Sequence, residues 1–265
     1  MIEKITSIQN QRIKNIVKLQ QKSSERKDQN LIVIEGSREI TLAIKSGFEI
    51  KQIYFCSEII SYDRIAEISC NENNVFKISR EVYHKIAYRE STEGILVLAE
   101  PRFSTLKSMK LGKNPFLIVL ESVEKPGNLG AILRTADAAN VDAVLVCDPL
   151  TDIYNPNVIR SSVGCVFTKQ VVACSSDEAL DWLKKNKIKS YAAALTATHF
   201  YHLADFSVPS AIVMGTEADG LTKKWLKGAD EQIKIPMNGE IDSLNVSTST
   251  AILVFEAMRQ RNFYK

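Results

Sequence analysis

Apolar positions in this chain fall into short continuous runs separated by stretches with helical spacing. Within the first thirty residues Ile5, Ile8, Ile13, Ile16, Val17 and Leu19 mark the stripe of an amphipathic helix, packed inward with its cations turned to solvent. From there to about residue 100, apolar runs at 31–34, 53–55, 75–78 and 94–98 alternate with helical stretches at 38–45 and 62–69, the pattern of a small α/β unit. Residues 100–115 are polar, basic and bracketed by Pro101 and Pro115, so they read as a linker and put a domain boundary near residue 105. Beyond it the alternation tightens. Strands are predicted at 116–120, 143–146, 170–172, 191–195, 211–214 and 232–235, and helices at 128–139, 158–163, 177–185, 221–226 and 246–260. Continuous apolar strands divided by helices predict a mostly parallel sheet covered on both faces, and ligands of such sheets bind where the strands end.

With 265 residues, 45% hydrophobic and 25% charged, the chain can bury a core as one large domain or two modest ones, and disorder, collagen-like repeats and coiled coil are excluded. The net charge of +3, from 34 basic and 31 acidic residues, is too balanced to announce a nucleic-acid partner by itself. Its distribution is uneven: the first thirty residues carry Lys4, Arg12, Lys14, Lys18, Lys22, Arg26 and Lys27 against Glu3, Glu25 and Asp28. Alone, that excess describes a solvated helix face; it gains meaning only if the rest of the chain offers an anionic partner. Cys56, Cys70, Cys147, Cys165 and Cys174 are scattered and form no CxxC pair, which indicates neither a disulfide framework nor a zinc site. The N-terminus lacks the basic-then-apolar run of a signal peptide, and no apolar stretch approaches the roughly 18 residues needed to span a bilayer. A cytoplasmic protein without a membrane partner is expected.

Three strand-to-helix junctions carry the candidate chemistry. In the first, residues 121–137, Gly127 and Gly130 flank Asn128 where a helix starts, and outward N–H groups there suit an anion. Arg134 follows on a face rich in Ala, Ile and Leu, where a cation requires a paired carboxylate, a ligand, or a path to solvent; Asp137 is within reach as a partner. The junction holds no GxGxxG, so a dinucleotide fold is unsupported. In the second, residues 211–221, a strand ends at Gly215, whose missing Cβ lets a ligand approach the backbone, and Glu217 precedes a turn at Gly220. Glu217 suits a base, a hydrogen-bond acceptor or a helix-start carboxylate. In the third, residues 235–250, Ser243, Asn245 and Ser247 cluster at the mouth of an apolar helix. Capping accounts for one of them, and a polar ligand for the length of the run. His199 and His202 stand three residues apart without evident further ligands, so they read as surface or loop residues and no metal is expected.

Taken together, these segments resemble the three motifs of the SpoU (TrmH-type) RNA ribose 2′-O-methyltransferases of the SPOUT superfamily. The match comprises N-x-G-x-x-x-R from Asn128 to Arg134, G-x-E-x-x-G-L from Gly215 to Leu221, and I-P-M-x-G followed by S-L-N-V-S from Ile235 to Ser247, in family order. Arg160-Ser161-Ser162-Val163-Gly164 also matches a recurrent family segment. The N-terminal part, with Glu35-Gly36, Arg38 and Thr92-Glu93-Gly94-Ile95-Leu96, is similar to the L30e-like domain that often precedes this catalytic domain. The resemblance implies an L30e-like RNA substrate-binding domain over 1–105. Over 106–265 it implies a SPOUT α/β domain with a parallel sheet and a deep C-terminal trefoil knot, which general topology rules disfavour.

The resemblance further implies S-adenosylmethionine as cofactor, held largely by backbone groups at Leu195, Gly215, Ile235, Met237 and Leu244, and a homodimer with the site near its interface. Arg134 becomes the central catalytic residue, surrounded by Asn128, Glu217, Ser243 and Asn245. A guanidinium stays protonated and makes a poor base, so Arg134 is expected to clamp the target phosphate and stabilise a developing alkoxide, with the proton leaving through the phosphate, Glu217 or water. Ribosomal RNA is favoured over transfer RNA because the extra N-terminal domain often accompanies ribosomal targets. A tRNA ribose methyltransferase and a non-catalytic RNA-binding or ribosome-assembly protein are the alternatives. Ser247-Thr248-Ser249-Thr250 stand where the family more often has alanines, a change that bears on helix packing more than on chemistry.

Overall fold

The computed structural model describes residues 2–66, 68, 74–88 and 93–263; Ser69, Cys70 and Thr92, which entered the readings above, lie outside them. Up to residue 102 the elements are β1 (Glu3–Ile5), α1 (Gln11–Gln21), α2 (Ser23–Gln29), β2 (Ile32–Glu35), α3 (Ser37–Lys45), β3 (Ile50–Phe55), α4 (Tyr62–Ala66), β4 (Val75–Ile78), α5 (Arg80–Ile86) and β5 (Ile95–Ala99). Then follow β6 (Phe116–Glu121), α6 (Pro126–Ala138), β7 (Ala143–Cys147), α7 (Pro156–Ser161), α8 (Cys165–Thr168), β8 (Gln170–Cys174), α9 (Ser176–Lys185) and β9 (Lys189–Ala193). The chain ends with β10 (His199–Phe200), β11 (Ser210–Met214), α10 (Lys223–Gly228), β12 (Glu231–Lys234) and α11 (Val246–Gln260). It divides into two compact units, Met1–Arg102 with Tyr154–Thr168, and Phe103–Ile153 with Lys169–Lys265. The grouping of Tyr154–Thr168 with the first unit is a feature that one boundary near residue 105 does not describe.

In the first unit a five-stranded sheet runs β1-β4-β3-β5-β2, with β5 antiparallel to both neighbours. Ile13, Ile16 and Leu19 of α1 bury against Val33, Tyr54 and Phe76 as their spacing predicts. The single helix expected over the first thirty residues is instead a strand and two helices. Ile5 sits in β1, paired with Ile78, and Lys22 adopts an extended conformation (φ −120°, ψ 121°) between α1 and α2. Arg26 also departs from expectation. It is buried, and its guanidinium donates to the C-terminal carbonyls of α1 at Leu19 (2.5 Å) and Gln20 (3.4 Å). Those carbonyls have no partner within α1, so the cation closes the helix end rather than facing solvent. Arg12, Lys14, Lys18, Lys22 and Lys27 remain exposed.

The second unit is built on a seven-stranded sheet in the order β10-β12-β9-β11-β6-β7-β8, parallel throughout. Leu117, Val119, Ala143, Leu145 and Val213 face one side, against Ala179, Leu180 and Leu183 of α9 and Trp225 of α10. On the other side α6 packs on β7, and α11 on β11 and α6. The expectation of a parallel sheet covered on both faces is met. Helix α9 starts with a capping box between Ser175 and Glu178. The scattered cysteines are in part gathered: Cys147 and Cys174 are register partners at the ends of β7 and β8, with their sulfurs 3.9 Å apart. The Cys147 thiol donating to Cys174, together with burial, pushes Cys147 up, and the same bond lowers Cys174.

Arg261, one residue past α11, ties the helix end to the sheet. Its guanidinium donates to the carbonyls of Phe206 (2.7 Å), Asn114 (2.8 Å) and Val208 (2.5 Å) and to Ser210 Oγ (3.0 Å), and lies 5.0 Å over the Phe116 ring. Removing it takes these cross-links from the corner, where the bonds to the Phe206 carbonyl and to Ser210 are part-buried, and uncovers the buried Phe116 ring. Arg261→Ala is expected to cost about 3 kcal/mol of stability, read as a lower denaturant midpoint with unchanged slope. A midpoint within error of the parent would show that the N-terminal ends of β6 and β11 hold without it.

Candidate active site

Three of the predicted site residues converge at the carboxyl ends of the strands. Asn128 lies in the first turn of α6, which Pro126 opens at a position where its missing N–H costs nothing. Glu217 lies in the turn after β11, closed by Thr216 N donating to Gly220 O (3.0 Å) and Gly220 N to Thr216 O (3.2 Å), with Gly220 at φ +69°. Asn245 is the N-cap of α11. Asn128 Nδ2 donates to Glu217 Oε1 (2.5 Å), and Asn245 Nδ2 donates to Asn128 Oδ1 (3.2 Å). Asn245 Oδ1 in turn accepts from the backbone N–H (2.9 Å) and hydroxyl (2.6 Å) of Ser247.

The relay has one consistent direction. An N–H group at a helix start can only donate, so Asn245 must present Oδ1 to Ser247 and Nδ2 to Asn128. Asn128 must then give its Oδ1 to Asn245 and its Nδ2 to Glu217. The carboxylate of Glu217 suits the acceptor at the end of this chain. Capping and site-building, alternatives at the sequence level, are one arrangement here.

Arg134 stands apart. It is exposed on α6 and makes no hydrogen bond or ion pair with the described residues, Asp137 included. Gly127, Ala131 and Ala138 share its face at helical spacing, all partly or fully exposed. Ser243 is not part of the relay; its hydroxyl donates to Asp242 Oδ1 (3.0 Å).

The residues expected to hold the cofactor follow neighbouring strands. Leu195 lies after β9, Gly215 directly after β11, and Ile235 directly after β12, and these strands are adjacent in the order β12-β9-β11. Residues 236–244 belong to no strand or helix, and their N–H and C=O groups have no backbone partner among the described residues. Leu195 is 61% exposed and Ile241 63% exposed, while Ile235, Met237 and Leu244 are half-buried. Free backbone donors and acceptors beside uncovered apolar side chains fit a ligand with a flat heterocycle and several polar groups. No group of three or more His, Cys, Asp or Glu among the described residues could hold a metal ion. His199 lies in the edge strand β10, with Nδ1 3.4 Å from Glu231, and His202 stacks on Phe200.

One buried carboxylate at the site escaped the sequence reading. Glu121 ends β6 at 3% exposure and accepts from Thr222 N (2.8 Å) and Thr222 Oγ1 (2.7 Å). Nothing in the local pattern marks it, because its partner lies 101 residues away.

The chain as a whole is similar to known proteins. Residues 115–255 match the SpoU rRNA Methylase family, and residues 10–97 match an MRM3-like substrate binding domain. The 23S rRNA (guanosine(2553)-2′-O)-methyltransferase RlmP of Bacillus subtilis is 31% identical over 255 residues, covering 96% of this chain and 98% of its own. A solved RNA 2′-O ribose methyltransferase superposes with a TM-score of 0.86 at 38% identity, over 98% of this chain and 99% of that one. The AdoMet-bound rRNA methyltransferase of Sinorhizobium meliloti does so with a TM-score of 0.89 at 26% identity, over 97% and 98%. With a family match across more than half its length and a relative aligned almost end to end, the chain belongs to the SpoU rRNA methylase family.

Proposed function

We propose that this protein is an S-adenosylmethionine-dependent enzyme that methylates a ribose 2′-hydroxyl of ribosomal RNA. The observation that carries the reading is the Asn128–Glu217–Asn245 relay at the strand ends, beside a segment of unpaired backbone, in a chain of the SpoU family. S-adenosylmethionine, when bound, supplies an electrophilic methyl group. Backbone groups around Gly215, Ile235, Met237 and Leu244 would hold it, with Leu195 covering an apolar face.

The chain's own residues then handle the nucleophile. Arg134, exposed and without a hydrogen-bond or ion-pair partner among the described residues, is free to fork onto the phosphate next to the target ribose and to stabilise the charge that develops on the 2′-oxygen. Glu217 has one carboxylate oxygen fixed by Asn128, and its other oxygen can accept a proton through water. Ser243, exposed two residues before Asn245, is available to hydrogen-bond substrate. Asn245 orients Asn128 through the cap of α11.

The first unit, with its exposed cations on α1 and α2, serves RNA phosphates as an L30e-like substrate-binding domain, the boundary falling near residue 105. The passage of residues 236–245 from β12 back to the start of α6 is the part of the chain that forms the trefoil knot. The exposed small-residue face of α6, together with Phe255 at 45% exposure on α11, the helix packed against α6, supports a homodimer with the site near its interface. A ribosomal RNA substrate places the proposed activity in the cytoplasm; no helix of the described residues is long and apolar enough to cross a membrane.

Mapping ribose methylation across cellular RNA with and without the gene is expected to reveal a lost site in ribosomal RNA, restored by purified protein and S-adenosylmethionine. A changed site in transfer RNA would redirect the substrate. An unchanged map together with no S-adenosylmethionine binding would leave a non-catalytic RNA-binding protein.

A further inference from the structure

Glu121 is a carboxylate at the end of a central strand, only 3% exposed. Burying a charge costs free energy unless its oxygens are occupied, so its partners reveal its purpose. Both oxygens are occupied by one residue: Oε2 accepts from Thr222 N and Oε1 from Thr222 Oγ1. Thr222 is the N-cap of α10, yet its hydroxyl makes no cap bond to that helix and points to Glu121 instead. A threonine there would ordinarily turn its oxygen on its own helix.

The consequence lies in what is suspended between the two residues. The turn holding Glu217 is fixed at its start by the β11–β6 ladder, where Met214 pairs with Leu120, and at its end by the Glu121–Thr222 bonds. Glu121 is also the last residue of the strand that leads to Asn128, the partner of Glu217. A single buried side chain therefore references the turn to the strand from which Asn128 is launched.

We propose that Glu121 is a positioning residue for methyl transfer, setting Glu217 against Asn128 by clamping the far end of the Thr216–Gly220 turn through Thr222. This rests on the role given to Glu217 above. Glu121→Gln is the conservative control, since its amide oxygen can accept from Thr222 N while its NH2 donates to the Thr222 hydroxyl, whereas Glu121→Leu keeps approximate size and leaves both Thr222 groups without an acceptor. Displacement of the turn by a fraction of an ångström is expected to lower kcat on the order of 10- to 100-fold, with KM for RNA and Kd for S-adenosylmethionine unchanged within about twofold.

The deciding measurement is a double-mutant cycle on the full chain. In a Glu217→Ala background, Glu121→Leu is expected to add no further loss, because the group that Glu121 positions is gone. Thr222→Ser, which retains both donors, is expected to keep parental turnover, and Thr222→Val to fall as Glu121→Leu does. Losses that multiply in the Glu217→Ala background, or a Glu121→Leu enzyme with parental kcat, overturn the proposal. If Glu121→Leu does not fold, the Thr222→Ser and Thr222→Val pair decides it in the same way. A Glu217→Ala enzyme that turns over normally removes the role of Glu217 as well, and that single variant separates failure of the functional reading from failure of the clamp.

Discussion

Arg134→Ala is expected to lose methyl transfer on the order of 100- to 1,000-fold while binding S-adenosylmethionine and melting like the parent protein. The separation follows from its surroundings. Arg134 is exposed and meets none of the described residues through a hydrogen bond or ion pair, so the folded protein forfeits nothing when it is truncated. A cation left so unencumbered on a face of Gly127, Ala131 and Ala138 is free to engage a group from outside the protomer. Single-turnover assays with saturating cofactor would isolate the chemical step. Arg134→Lys keeps the charge but not the planar fork, and about a tenfold loss is expected if bidentate contact with phosphate matters. A lysine enzyme retaining most of its turnover would remove the need for the fork, and an alanine enzyme that does so would remove Arg134 from the reaction.

Gly215→Ala is expected to act by another route, through the cofactor. A Cβ on Gly215 would fall on the carbonyl carbon and oxygen of Gly220 and the nitrogen of Leu221, all backbone atoms that no rotamer change can move aside. Relief requires opening the turn that the Thr216–Gly220 bonds close, carrying Glu217 away from Asn128. Overpacking of this kind costs about 1 to 3 kcal/mol. Expressed in the binding constant for S-adenosylmethionine, that is roughly a 5- to 150-fold weakening, measurable by titration calorimetry. Because the strain falls on a loop, the far-ultraviolet circular dichroism should not change. Parental affinity in a folded Gly215→Ala protein would mean that the turn yields freely and does not shape the cofactor site.

How far the sequence could be read depended on the range of the interactions. Strands such as β6 and β11 are continuous apolar runs, and α11 begins where Asn245 ends a polar stretch, so both were legible from local pattern. The three residues of β1 and the two of β10 are too short to show a period, and α5 was not separated from its surroundings. The break at Lys22 involves neither glycine nor proline, the usual local signals. Burial of Arg26 and the meeting of Cys147 with Cys174 depend on tertiary register, which no window of sequence contains. The candidate site was legible only as an ordered set of motifs matched to a family, since its relay joins residues 89 and 117 positions apart. Glu121 had no such motif to mark it.

The strand order also dictates when the site can exist as the chain leaves the ribosome. Strands β6, β7 and β8 are neighbours in that sequence, so each can pair with its predecessor as it emerges. The opposite edge of β6 must wait for β11, and until Ser210–Met214 has been made it is an open row of unpaired donors and acceptors in an apolar strand. Asn128 waits longer still, for Asn245, which follows β12 and opens α11. A nascent chain can thus pair β6, β7 and β8 before its candidate site exists, and the relay can close only once Asn245 has been made.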